Sequence, residues 1–213
     1  MRFTSPYPTD FSDRVIEAMA TTPEVCEHVH LPAQSGSNAV LRRMLRRYTR
    51  EGYLDVVARL RAAMPAITFS TDLIVGFPGE TETDFEQTLS LLGEAGFDSA
   101  YTFKYSVREG TPAERIPHHV PDAIASARLE RLIEAMRQQG GQRNVARVGT
   151  SHEALVEHPA RRGDFMLART RGNLLVLLGL PPESAGEYHQ VVLTGTTGST
   201  FTGAVQRPQL AVL

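Results

Sequence analysis

A chain of 213 residues, 41% hydrophobic and 22% charged, has room for one sizeable core or for a medium and a small domain, and falls outside the disordered, collagen-like and disulfide-rich classes. No run of about 18 consecutive apolar residues occurs, so no membrane-spanning helix is expected. The formal net charge of −2 gives no global sign of a nucleic-acid partner.

The N-terminus, "MRFTSPYPTDF", carries no apolar signal segment, which points to the cytoplasm. "RFTS" reads as the end of a strand, and "DFSDRVIEAMAT" follows as a helix, with Phe11, Val15, Ile16 and Met19 at helical spacing. "HVHLPA" is a second strand, followed by helices over "NAVLRRMLRR" and "EGYLDVVARLRAAM". "AITFSTDLIVG" is a third strand that empties into the turn Gly76 to Gly79. "TETDFEQTLSLLGEAG" is a helix opened by Thr81 with Asp84 three residues on, a capping-box pattern. "SAYTFKYS" is a fourth strand, and "PDAIASARLERLIEAMRQQGGQRNVAR" is a long helix. Strands alternating with helices at crossover spacing imply an α/β fold with a parallel sheet over residues 1–147.

From residue 148 to 213 the pattern changes. "HEALVEH", "DFMLART", "NLLVLLG", "EYHQVVLTG" and "STFTGAV" are five short strands with no helix between them, which suggests a small Greek-key or OB-like β-barrel. Many such barrels bind oligonucleotides and others only pack. Arg161, Arg162, Arg169, Arg171 and Arg207 are balanced by acids, so this barrel is not basic as a whole.

Several residues carry possible chemistry. Arg42, Arg43, Arg46, Arg47 and Arg50 fall within ten residues; such a run is most often a solvated helix face and sometimes touches an anionic ligand. Lys104 is the only lysine. In parallel α/β folds ligands sit at the C-terminal ends of strands, which singles out Asp72, a carboxylate inside an apolar strand that needs a partner. The lone cysteine, Cys26, cannot ligate a cluster by itself and reads as a small buried residue. His28 and His30 alternate on one strand and so share a face, a conceivable zinc pair with no third ligand evident. His118 and His119 read as loop residues.

Four stretches, "RFTSPYPTDFSDRVIEAMA", "VCEHVHLPAQSGSNAVLRRM", "STDLIVGFPGETETDFEQTL" and "YTFKYSVREGTPA", resemble the methylthiotransferases of the radical S-adenosylmethionine (SAM) superfamily, in the same order and over essentially the whole chain. The resemblance implies the C-terminal half of a radical SAM partial TIM barrel, followed by a TRAM-type barrel, a tRNA-binding module. It implies S-adenosylmethionine as cofactor, with Gln34 and Asp72 on the ribose, Arg46 on the methionine carboxylate and the Gly76 turn letting backbone approach. It also implies 4Fe–4S clusters in the full-length enzyme, but the CxxxCxxC ligands and the N-terminal domain are absent from this chain, which therefore reads as the C-terminal portion of a longer enzyme. Leu45, Arg47, Val107 and Glu109 depart from the family's usual residues beside Arg46 and Arg108.

The activity the resemblance implies is methylthiolation at C2 of the N6-isopentenyladenosine beside the tRNA anticodon. The alternatives are a sister enzyme acting on threonylcarbamoyladenosine or on a ribosomal-protein aspartate, and a non-catalytic tRNA-binding remnant. The expected partner is the tRNA anticodon stem-loop, gripped through Arg169 and Arg171. Nothing in the sequence bears on oligomeric state, and a monomer is taken as the expectation.

Overall fold

The computed structural model describes residues 1–3, 7–161 and 163–206. These divide into two compact units, Met1–Gln139 and Gly140–Leu213. The boundary between them falls inside the long helix Asp122–Arg147.

In the first unit, helix α1 (Asp13–Thr21) precedes strand β1 (His28–His30), helices α2 (Asn38–Arg43) and α3 (Arg50–Ala63), strand β2 (Thr68–Val75), helix α4 (Glu82–Ala95), strand β3 (Ser99–Lys104) and helix α5 (Asp122–Arg147). The three strands form a parallel sheet in the order β1-β2-β3. His30 is in register with Ser70, and Ser70 with Ser99. The expected first strand does not form at Arg2 and Phe3, and Thr4 and Ser5 lie outside the described residues.

The helix starts are written in the sequence. Ser12, Ser37 and Thr49 each accept a backbone N–H in the first turn of α1, α2 and α3. At α4 the box is reciprocal: Thr81 Oγ1 accepts from the Asp84 N–H at 3.2 Å, and Asp84 Oδ2 accepts from the Thr81 N–H at 2.9 Å. Gly96, at φ +62°, ends α4 in the left-handed conformation that a glycine adopts without strain.

The single helix expected over "NAVLRRMLRR" is broken. It stops after Arg43, and Leu45 sits at φ +57° before α3 begins at Arg50. The arginine run therefore spreads over a helix end, a loop and a helix start instead of forming one face.

One face of the sheet is sealed by the helices. Val29, Leu31, Phe69, Leu73 and Val75 are fully buried and share a core with Val57, Leu60, Phe85, Leu91, Leu92 and Phe97. Burying an aromatic ring such as Phe69 contributes roughly 2–3 kcal/mol relative to exposure. Gly36 is packed so tightly on α4 that a Cβ there would sit 2.2 Å from the Gln87 carbonyl oxygen.

In the second unit, β4 (Ser151–Pro159), β5 (Met166–Thr170), β6 (Leu175–Leu178), β7 (Tyr188–Thr196) and β8 (Thr200–Val205) close into a barrel in the order β4-β5-β6-β8-β7. Only the β6–β8 pairing is parallel. The interior is apolar, with Val156, Met166, Ala168, Val176, Leu178, Val191, Leu193 and Phe201 buried. At Gly203 a Cβ would lie 2.6 Å from Val176 Cγ1, so the close β6–β8 approach that completes the barrel requires glycine.

Candidate functional site

The open face of the three-stranded sheet is polar. Side chains alternate along a strand, and in-register neighbours on adjacent strands stand side by side. His28 and His30 of β1 thus share a face with Thr68, Ser70 and Asp72 of β2 and with Ser99 and Tyr101 of β3. His28 Nδ1 lies 2.9 Å from Thr68 Oγ1 and its Nε2 3.3 Å from Ser70 Oγ. His30 Nδ1 lies 2.9 Å from Ser70 Oγ, and its Nε2 3.4 Å from Asp72 Oδ1. The edge of the Tyr101 ring meets His30 at a centroid distance of 5.8 Å. Burial increases away from the strand ends: His28, Thr68 and Ser70 are buried, whereas the Asp72 side chain is 28% exposed.

Two of the expected site residues meet at the C-terminal ends of β1 and β2. The Gln34 N–H donates to the Asp72 carbonyl at 2.8 Å, and the Ile74 N–H donates to the Gln34 carbonyl at 2.9 Å. To make this bridge Gln34 adopts φ +64°, a left-handed conformation that costs a non-glycine residue about 1–2 kcal/mol. Strain of that kind persists where the surroundings fix it, and here it sits beside the carboxylate singled out from the sequence.

Gly76, at φ +75°, follows β2 and has a second constraint, since a Cβ there would lie 2.6 Å from Ala125 Cβ of α5. The turn that follows is held by two residues that the sequence does not single out. Glu80 Oε1 accepts from the Gly76 N–H at 2.9 Å and pairs with Arg128 Nη1 at 2.8 Å, inside the protein. Arg128 also reaches Glu82 at 3.1 Å. Burial pushes the Glu80 carboxyl above its ordinary range, against the pull of the Gly76 N–H and the Arg128 guanidinium. Its Oε2 is buried with no hydrogen-bond partner among the described residues. Two local signals point towards this pair: a Glu directly after Gly-Phe-Pro-Gly, and an Arg on the inner side of a helix. Phe77 and Tyr105 pack edge to face at 5.0 Å over the same turn.

Arg46 lies in the loop between α2 and α3. Its Nε is buried with no hydrogen-bond partner among the described residues. It neighbours Tyr48, whose hydroxyl donates to the Ala33 carbonyl at 3.1 Å, one residue before Gln34. Burial pushes the Tyr48 hydroxyl far up, and the Arg46 guanidinium opposes the shift. Arg46 is thus near Tyr48, whose hydroxyl bonds the backbone just before Gln34. Arg50, by contrast, is committed to structure, donating to the Gly36 carbonyl at 3.1 Å and to Glu94 at 2.6 Å. Arg43 leans over Gly79 towards Asp84, at 3.9 Å. Leu45 and Val107 are exposed, and Arg47, Arg108 and Glu109 lie at the surface of their loops.

His118 and His119 are loop residues, and the His118 carbonyl accepts from the Gly79 N–H at 2.8 Å. A cleft of about 660 Å³ lies there, lined by Arg43, Glu80, His118, His119, Ile124 and Arg128 among others.

Both histidines of β1 commit their Nδ1 atoms to hydroxyls, and among the described residues no group of three or more His, Cys, Asp or Glu is placed to hold a metal ion. Cys26 is half-buried. One thiolate in the whole sequence does not fit an iron–sulfur cluster, which takes several. By side-chain chemistry, Gln34 and Asp72 offer acceptors of the kind a diol takes and Arg46 donors of the kind a carboxylate takes.

In the barrel, Arg169 is near the end of β5, while Arg171 falls in the turn that follows, so strand alternation does not carry both onto one face. Arg169 Nε donates to Glu157 Oε1 at 2.7 Å and its Nη1 to Asn173 Oδ1 at 3.0 Å. Arg162 and Arg207 lie outside the described residues. No helix among the described residues is long and apolar enough to cross a membrane.

Residues 2–92 match the family model described as Radical SAM superfamily. The chain is 43% identical over 204 residues to tRNA-2-methylthio-N(6)-dimethylallyladenosine synthase of Pelotomaculum thermopropionicum, covering 95% of this chain and 46% of that protein. It is 46% identical over 195 residues to the synthase of the same name from Carboxydothermus hydrogenoformans, covering 91% of this chain and 44% of the relative. The chain thus spans under half the length of these relatives. Among solved structures, coproporphyrinogen III oxidase (HemN) from Escherichia coli, a radical SAM enzyme, aligns with a TM-score of 0.53 at 13% identity, over 95% of this chain and 51% of that one. That likeness concerns the fold. Residues 2–92 thus carry a radical SAM domain, and over nine-tenths or more of its length the chain is similar in sequence to tRNA methylthiotransferases of that superfamily.

Proposed function

We propose that this chain forms part of an enzyme that methylthiolates C2 of the N6-isopentenyladenosine beside the tRNA anticodon. The observation that carries the reading is identity of 43–46% to synthases of that name over nine-tenths or more of this chain. In this reading Asp72 and Gln34 accept from the ribose hydroxyls of S-adenosylmethionine, and Arg46 donates to its methionine carboxylate. Bound there, S-adenosylmethionine would supply a radical precursor. The strand-end residues orient it, while the Glu80–Arg128 pair keeps the Gly76 turn in shape. No step is assigned to an iron–sulfur cluster, whose ligands this chain does not contain. The barrel supplies a tRNA contact through Arg169 and Arg171.

A second reading, a tRNA-binding chain without catalysis, is favoured by the closed five-stranded barrel. Disrupting the gene in its host and digesting total tRNA to nucleosides for mass spectrometry tests the first. Loss of 2-methylthio-N6-isopentenyladenosine with accumulation of the unthiolated nucleoside is expected. An unchanged nucleoside pool would overturn it. The purified chain, reconstituted with iron and sulfide under dithionite, is expected to form no 5′-deoxyadenosine above background.

A further inference from the structure

The open sheet face carries more order than a site for a diol needs. From Thr68 to Asp72 the contacts form one line of hydroxyls and imidazoles: Thr68 Oγ1 to His28 Nδ1 at 2.9 Å, His28 Nε2 to Ser70 Oγ at 3.3 Å, Ser70 Oγ to His30 Nδ1 at 2.9 Å, and His30 Nε2 to Asp72 Oδ1 at 3.4 Å. An ionised carboxylate only accepts, and each hydroxyl has one proton to give. With both rings neutral, one direction satisfies every contact in the line. Thr68 donates to His28, His28 donates through Nε2–H to Ser70, Ser70 donates to His30, and His30 turns its Nε2–H towards Asp72 Oδ1, 3.4 Å away at ion-pair distance. The reverse direction would free Thr68 to donate to the Glu27 carbonyl at 3.3 Å, but it sets a bare His30 nitrogen against the carboxylate, two acceptors face to face. The relay therefore runs from the buried interior to the part-exposed carboxylate. The hydroxyl on Nδ1 of each ring sets its tautomer, as hydrogen-bonded partners do for a histidine that must present one nitrogen.

We propose that His30 is a positioning residue: its Nε2, 3.4 Å from Oδ1 of Asp72 and set by Ser70 and His28 behind it, orients the carboxylate electrostatically, so that Oδ2 is turned to accept from the vicinal diol of a nucleoside. The inference rests on the reading of Asp72 as a ribose contact. Among the described residues neither carboxylate oxygen of Asp72 makes a hydrogen bond, Oδ1 has only His30 Nε2 at 3.4 Å, and the side chain is 28% exposed, against 14% for His30. Tyr101, in register with Asp72 on β3, closes the other side of the His30 ring. A carboxylate free to rotate loses that freedom on binding, at a cost in affinity, and one already oriented does not.

The test uses the chain as it stands, with two measurements. Nitrogen-15 NMR of labelled histidine reads the ring tautomers, and calorimetric titration with S-adenosylmethionine reads affinity. His30 is expected as the Nε2–H tautomer, and Ser70→Ala is expected to mix its tautomers. His30→Phe and Ser70→Ala are each expected to weaken binding about 3–10-fold, the size of one hydrogen bond. His30→Gln, whose amide N–H reaches the place of Nε2–H, is expected to stay within about twofold of the parent. Ser70→Ala carries the comparison if His30→Phe does not fold. An Nδ1–H tautomer at His30, or full affinity in His30→Phe and Ser70→Ala while Asp72→Asn is weakened, overturns the positioning role alone. Full affinity in Asp72→Asn overturns the reading of Asp72 itself.

Discussion

The two sheets of this protein treat their faces differently. In the barrel, alternate positions of β4, β5 and β7 point into a closed apolar interior with Val156, Ala168 and Val191 at most 1% exposed, and the polar positions face outward where water satisfies them. In the parallel sheet only one face is apolar. The other carries two histidines, two hydroxyls and a carboxylate in β1 and β2, several of them buried. Burying such groups costs free energy unless each finds a partner, and here each does. The difference teaches where to look: the barrel's alternation serves stability, and the sheet's polar face is the part that stability alone does not explain.

Breaking the cores gives the largest effects. Phe201→Ala in the barrel and Phe69→Ala under the sheet are each expected to cost about 3–5 kcal/mol, read by chemical denaturation. Near-neutral results would mean that neither ring anchors its interior, and the contrast between the two sheets would lose its basis.

Removing Arg128 comes next. Arg128→Met strands the buried Glu80 carboxylate and is expected to cost about 3–5 kcal/mol at neutral pH. Burial raises Glu80 above its unfolded value, so its contribution to stability is present below that value and is lost as pH rises through the folded one. The penalty of Arg128→Met is therefore expected to shrink as the pH falls into the carboxylate range and Glu80 takes up a proton. A penalty independent of pH would show that packing against Phe85, at 5.7 Å from the guanidinium, outweighs the charge.

Asp72→Ala sharpens the contrast between function and stability. It is expected to weaken S-adenosylmethionine binding by about 1–3 kcal/mol with a much smaller change in Tm. The reverse pattern, unchanged affinity and a large loss of stability, would make Asp72 a structural carboxylate.

Thr81→Ala removes one half of the box that starts α4 and is expected to cost about 1 kcal/mol. Partial burial pushes the Asp84 carboxyl up, but hydrogen bonds from Ser37 and Thr81 outweigh it and hold the group below its ordinary value. Its contribution is present above the unfolded value and is lost as pH falls through the folded one. The difference between Thr81→Ala and the parent is expected to narrow in acid, and urea titrations across pH check it.

The smallest effect on stability is expected in the barrel. Replacing Arg169 and Arg171 by Gln breaks the part-exposed pair with Glu157 and is expected to cost roughly 0–1 kcal/mol. Affinity for tRNA is expected to fall, with its salt dependence flatter by about one unit or less for each phosphate that is no longer neutralised. Unchanged affinity and salt slope would assign the barrel's tRNA contact to another face.

Much of this is legible along the chain. Alternation marks the five barrel strands, and Thr81 with Asp84 marks the start of α4, because both signals arise between residues close in sequence. The break at Leu45 is not legible, since "NAVLRRMLRR" keeps helical spacing through a residue that the structure holds at φ +57°. Glu80 and Arg128 each carry a local signal, but that they pair is not legible, since they are 48 residues apart.

Sequence alone determined the parallel α/β order, the barrel, the likeness to radical SAM methylthiotransferases and the candidacy of Asp72, because periodicity, caps and motif order are local properties. Only the tertiary structure decided that Gln34 bridges onto Asp72, that His30 stands against its carboxylate, and that Arg169 is already paired with Glu157. Those contacts depend on strand register and side-chain direction, which folding sets by packing the apolar face of the sheet, and no single segment carries them.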